Sequence, residues 1–157
     1  MSKLFILLSK LLSMIKLLKL FIQKKKFEKL FNNSCEIGLN TKILNPENIK
    51  IGKKVFIGDN VLINASKGGT ISIGDFTNLA ADVKIFSWLN DYDEYNKGSG
   101  SIEKNVVVGQ RCRIGYNVII MPGVTIGDNV TIAPASVVSI DIPPNSIVHG
   151  NPAEIIS

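Results

Sequence analysis

From Ile51 onward an aliphatic residue leads every sixth position: 51, 57 and 63, then 73, 79 and 85, then 108, 114, 120, 126, 132 and 138. This period is neither helical nor simple strand alternation, and self-similarity at a short fixed period marks a stacked repeat. Within each six, the leading side chain points inward. Gly commonly follows, at what the spacing predicts to be a tight corner. The fifth residue is small or β-branched (Val55, Val61, Thr77, Val83, Cys112, Val118, Val124, Val130 and Ser136). Such sixes predict a parallel β-helix, three to a triangular coil, with each coil burying its interior only against its neighbours. Ahead of this run, Ile37, Ile43 and Ile49 keep a less regular beat and read as a capping coil.

The beat breaks twice. Between Ile63 and Ile73 the spacing is ten, which places four extra residues, 67 to 70, in a bulge or corner loop. Between Ile85 and Val108 it is 23, room for an extruded loop over residues 86–105 that begins "FSWLNDYDEYN". Loops held on a rigid scaffold are where function concentrates.

The first thirty residues follow another pattern. Lys10, Ser13, Lys16, Lys19 and Gln23 recur at three or four positions among Leu, Ile, Met and Phe, which predicts an amphipathic helix with a narrow polar stripe. Its longest unbroken apolar run, Leu4 to Leu8, is far short of the roughly 20 residues that span a bilayer. Lysines interrupt it and no small-residue cleavage site follows, so a secretory signal fits poorly. Two readings stand: a helix lying in the membrane interface with its lysines near anionic headgroups, or one packed on the domain or a neighbouring subunit. The chain thus divides into a basic helical segment, residues 1–32, and a β-helical domain, residues 33–157.

Charge follows the same division. Eight lysines and one glutamate give residues 1–30 a net +7, so the other 127 residues carry −2 of the chain's +5. The main body has no basic patch interleaved with aromatics, which argues against nucleic-acid binding. At 157 residues, 45% hydrophobic and 20% charged, the chain suits one core-forming domain. Cys35 and Cys112 lack metal-type spacing and could form at most one bridge, so neither a zinc site nor a disulfide framework is expected, and a reducing cytoplasm is the simplest setting. Cys112 falls at an interior position and reads as core.

The stretch "VVVGQRCRIGYNVIIMPGVTIGDNVTIAPASVVSIDIPPNSIVHGNPAEII" (106–156), preceded by "TISIGDFTNLAADVKI", resembles the hexapeptide-repeat acyltransferases, and among them the galactoside, maltose and polysaccharide O-acetyltransferases. The likeness covers roughly residues 49 to 156 and is most specific in "PGVTIGDN", "IPPNS" and "GNPA". It implies an all-β fold, a left-handed parallel β-helix with the extruded loop and the N-terminal helix appended. Left-handedness comes from the resemblance alone. It also implies a homotrimer with active sites between subunits, acetyl-CoA along the cleft, a sugar or glycan acceptor and no metal, while the cysteine usage and the basic helix point to a cytoplasmic enzyme that residues 1–30 would hold at the inner face of the membrane.

The family's catalytic His, laid without gaps from Ile73, falls on Asn90. A general base needs a pKa near neutrality, and an amide has none there. Asn90 therefore cannot be the base, whether the exchange arose by evolution or by design, and a carboxylate such as Asp91 or Asp93 is the alternative. By the same resemblance, Gly115, Ala133, Pro134, Ala135 and Ser136 match the small residues along the pantetheine path, with Arg113 beside them. Asp82, Trp88, Tyr92 and Asp93 are the acceptor candidates. The family's phosphate-binding cations correspond to Ile140 and Glu154, which weakens donor binding. Those departures sustain a rival reading, a non-catalytic β-helix that serves as a scaffold or binds glycans. The only histidine, His149, reads as a surface residue of the terminal turn, and one histidine is too few for the zinc-dependent branch of the fold.

Overall fold

A computed structural model describes residues 3–31, 35–66, 68–91 and 100–157. Three parallel sheets form the faces of a prism. The first contains Cys35–Ile37, Val55–Ile57, Asn78–Leu79, Arg113–Ile114, Thr131–Ile132 and Ile147–His149. The second contains Lys42–Leu44, Leu62–Asn64, Lys84–Phe86, Ile119–Ile120 and Val137–Val138, and the third Ile49–Ile51, Ile71–Ile73, Val106–Val108 and Thr125–Ile126. Where a strand holds the fifth and first positions of successive sixes, both point inward: Val55 and Ile57 are buried while Phe56 between them is not. Every small or β-branched fifth residue named above is buried. Ile37, Ile43 and Ile49 are buried in the first coil, the first two in register with the leading Ile57 and Ile63 and Ile49 in register with Ile71, a fifth position.

The structure reassigns the corner. The residue with left-handed backbone is the fourth of each six, commonly Asn, as at Asn60 (φ 58°), Asn117 (φ 56°) and Asn129 (φ 59°). The glycine at position two is required for a different reason. A Cβ on Gly58 would stand 2.7 Å from the backbone N of Ala81, and one on Gly74 2.6 Å from that of Gln110. Glycine there lets consecutive coils stack. The aspartate at position three closes the unit: Asp59, Asp75 and Asp128 accept the backbone N–H of Leu39, Lys53 and Gln110, each one coil earlier. The "IGDN" signature is thereby explained by stacking alone.

At the far end, Glu154–Ile155 folds back antiparallel on Ile147–His149 and covers that edge. At the near end an α-helix, α1 (Lys3–Leu30), reaches the first coil through Phe27, which is buried, and Phe31 just beyond it, which packs on the core. From Leu7 to Lys19 every residue of α1 is exposed. That stretch is therefore not buried against its own domain. Placed at the helical angle of about 100° per residue, the polar positions spread over about half of the circumference with Leu12 and Leu17 among them.

Candidate active site

The interruptions of the repeat stack on one corner, where the second face turns into the third. In the first coil this corner is Asn45 (φ 53°) followed by a short 3-10 turn, Pro46–Asn48. In the second it is residues 65–70, carrying the four extra positions. In the third it is the long break after Phe86. Hydrogen bonds tie these levels together. Asn45 Nδ2 donates to Ala65 O and Asn48 Nδ2 to Ser66 O. Ser66 N donates to Ser87 Oγ at 2.7 Å, and Ser87 Oγ donates to Gly69 O. Thr70 N donates to Asn105 Oδ1. The inserted residues are thus a corner loop that braces the base of the long break.

That break opens as an antiparallel ribbon in which Trp88–Asp91 pairs with Gly100–Glu103, Asn90 opposite Ser101 and Trp88 opposite Glu103. Asn90 is exposed and Trp88 half-buried. Beside the ribbon runs an open groove of about 640 Å³, bounded by Trp88, Ser101 and Glu103 on one side and by Leu44, Asn64 and Ser66 of the coils on the other. An indole next to amide, hydroxyl and carboxylate groups offers a sugar what it binds to: an apolar platform and hydrogen-bond partners for its hydroxyls. Glu103 was not among the sequence candidates. The signal available was the alternation in "GSIE", which pairs it with Trp88 only once the ribbon's register is known.

The donor-path candidates lie on a different corner, where the first face turns into the second. Gly115 N–H donates to Ile132 O at 2.9 Å, and a Cβ on Gly115 would stand 2.6 Å from Pro134 N, so residues 115 and 133–135 are in direct contact. Pro134 and Ala135 are exposed and Ala133 half-buried. Ser136 is wholly buried. Its hydroxyl donates to Ala133 O and accepts the Gly150 N–H, so it braces this turn from within. Arg113 is exposed between Asn78 and Thr131. Asp82, at φ 63°, is the left-handed corner residue of its six, its N–H donating to Asp59 O, which already accounts for a short polar side chain there.

Within one chain, then, the structure groups Asp82, Arg113, Gly115 and residues 133–136 along one edge of the second face, and Trp88 and Asn90 along the other. The width of that face separates the groups, roughly 15 Å at the rise of a strand. Tyr92 and Asp93 lie outside the described residues, as does the side chain of Asp91. Ile140 and Glu154 are exposed, and His149 is exposed in the terminal coil. Cys112 is buried with Sγ 3.1 Å from Gly127 O, and burial pushes its thiol pKa up, away from a reactive thiolate. Among the described residues no three potential metal ligands gather.

A parallel β-helix of six-residue repeats is an architecture that known proteins share. The family described as bacterial transferase hexapeptide (six repeats) matches over residues 105–139. Over 125 residues, 76% of this chain, the sequence is 32% identical to the galactoside O-acetyltransferase of Escherichia coli K12. A solved maltose O-acetyltransferase from Clostridium difficile 630 aligns over 90% of this chain and 87% of its own, at 32% identity and a TM-score of 0.71. A hexapeptide-repeat acetyltransferase of Vibrio cholerae O1 biovar eltor, solved with acetyl-CoA, aligns over 83% and 72%, at 30% identity and a TM-score of 0.65. The chain belongs to the hexapeptide-repeat acetyltransferase family. It spans 62% of the E. coli enzyme's length and 54% of a Staphylococcus aureus relative's.

Proposed function

We propose that this protein transfers the acetyl group of acetyl-CoA to a hydroxyl of a sugar or polysaccharide intermediate. It works as a homotrimer of left-handed β-helices, in the cytoplasm at the inner face of the cell membrane. The observation that carries the reading is the placement of the two half-sites on opposite edges of one face. Neither edge is complete alone. A threefold arrangement sets the ribbon of one chain, with Asn90, Trp88 and the groove beside Glu103, against the neighbour's Gly115 and 133–135 corner. Acetyl-CoA would lie along that corner, where small residues leave backbone groups accessible, and Arg113 is the nearest cation to its phosphates. Relatives solved with coenzyme A or acetyl-CoA support the choice of donor.

In the reaction the acceptor oxygen attacks the thioester carbonyl, the new C–O bond forms, the C–S bond breaks, and the hydroxyl proton ends on the thiolate of coenzyme A. Asn90 can hold the hydroxyl by hydrogen bonding but cannot take its proton. In the chain as it stands that proton falls to a carboxylate, Asp91 or Asp93. The residue 90 position still faces the acceptor, so Asn90→His should raise turnover by about 10²-fold or more, the ordinary contribution of a positioned base. Thiol release from acetyl-CoA with a panel of sugar acceptors tests this. Turnover that rises in the variant supports the reading. No turnover by either folded protein, together with glycan binding that is indifferent to coenzyme A, would establish the non-catalytic scaffold instead.

A further inference from the structure

The largest feature without a role in the reaction is α1. Ten large apolar side chains between Leu7 and Ile22, Leu12 and Leu17 among them, are each between 43% and 71% exposed. At helical spacing all of these but Leu12 and Leu17 fall on one half of the cylinder, which Lys25 shares, with the exposed Lys10, Lys16 and Lys19 and the hydroxyl of Ser13 at the boundary or on the other half. α1 is 28 residues, about 40 Å, long, and of the side chains described in it Phe27 is the one in the core, so among the described residues nothing buries this face. An apolar surface of this extent needs a partner.

Charge decides which one. A second copy of α1 against this face would bring together two segments of net +7, each with a single acidic residue, and the glutamates that normally pair lysines across such a seam are missing. Among the described residues no helix is long and apolar enough to cross a bilayer. A surface that is negatively charged and apolar underneath satisfies both halves of the helix at once. We infer that α1 lies flat on an anionic phospholipid bilayer, with Leu11, Met14, Ile15, Leu18 and Phe21 entering the acyl boundary and Lys10, Lys16 and Lys19 meeting the headgroups. This rests on the peripheral placement proposed above and names its partner. Because Phe27 and Phe31 fasten the helix to the first coil, the bilayer lies at the N-terminal end of the prism, and an acceptor carried on a lipid is within its reach.

The test uses the full chain and sedimentation with vesicles. It should pellet with vesicles of phosphatidylglycerol and phosphatidylcholine in equal parts, remain in solution with phosphatidylcholine alone, and be partly released by high salt. Replacing Lys16 and Lys19 by Gln should weaken partition at least tenfold at low ionic strength, since each lysine near such a surface is worth about 1 kcal/mol. The double variant Leu11→Ser, Leu18→Ser should abolish it. Equal partition to both vesicle types, or partition unchanged in the lysine variant, overturns the inference. So does failure to bind any vesicle combined with a sedimentation coefficient larger than a trimer's that the serine variant restores, because the face is then covered by other copies. Thiol release with a soluble sugar measures the enzymatic reading separately: vesicle binding without turnover removes that reading and leaves the lipid contact standing.

Discussion

The coils and the corner that carries the ribbon are built from the same chain by different rules. In the coils each position of the six has one structural duty: the first and fifth fill the interior, the second lets the next coil approach, the third caps a backbone N–H, and the fourth turns the chain. Interior polar groups follow suit, with Thr41 and Thr77 donating to Gly58 O and Gly109 O, and among the described residues no buried side-chain polar atom lacks a partner. At the ribbon corner nothing repeats. Ser66 and Ser87 hydrogen-bond between levels, an indole is left half-buried, and a carboxylate and amides face an open groove. Residues that satisfy one another are scaffold, and residues whose polarity and apolar surface are left facing outward are available for a ligand.

Substitutions can break that division, and the largest effect is expected in the coils. Ile63 is completely buried on the second face, one coil below Ile85. Ile63→Ala should cost about 2–5 kcal/mol of stability, from the lost transfer energy and the cavity left in a stack whose coils cannot close in independently. Urea unfolding measures it, and turnover per folded molecule should be unchanged. A smaller, opposite pattern is expected at the ribbon. Trp88→Ala should cost no more than about 1 kcal/mol of stability, yet raise the KM for a sugar acceptor roughly tenfold with the KM for acetyl-CoA unmoved, because the platform is lost and the fold is not. If Trp88→Ala unfolds the protein and leaves KM alone, the indole belongs with the scaffold.

The same division explains what could be read from the sequence. A period of six specifies the fold because every residue repeats its environment, so the interior positions from Val55 to Ser136 and both breaks were legible. The duties of positions two and four were not, since Gly58 and Asn60 both suggest a turn and only the spacing between coils assigns close approach to one and left-handed backbone to the other. Asn90 was found by family resemblance, not by pattern. The grouping of residues 44, 64, 66 and 103 around Trp88 was beyond reach because it depends on stacking levels some twenty residues apart and on the ribbon's register. Along α1, the lysines announced a polar face, but that every residue from Leu7 to Lys19 is exposed is a fact of where the helix leaves the first coil.

The smallest expected effect tests the scaffold's own polar logic. Asp128 accepts from the Gln110 side-chain amide at 2.8 Å and from the Gln110 N–H at 2.9 Å, and these bonds, with a lesser contribution from Arg111, hold its carboxyl below the usual carboxylate range. A carboxyl whose pKa is lower folded than unfolded stabilises the fold fully above the unfolded value and loses that contribution as pH falls through the folded one. Stability should therefore decline on the acid side of the ordinary aspartate range, by a modest amount because the group is only half-buried. Asp128→Asn keeps an oxygen for the Gln110 N–H but removes the charge, so its urea midpoint should fall less steeply with acid while staying close to the parent's at low pH. An identical acid limb in the two proteins would mean that the capping bonds at position three matter by shape alone, and that the charge repeated in "IGDN" contributes nothing to holding the coils together.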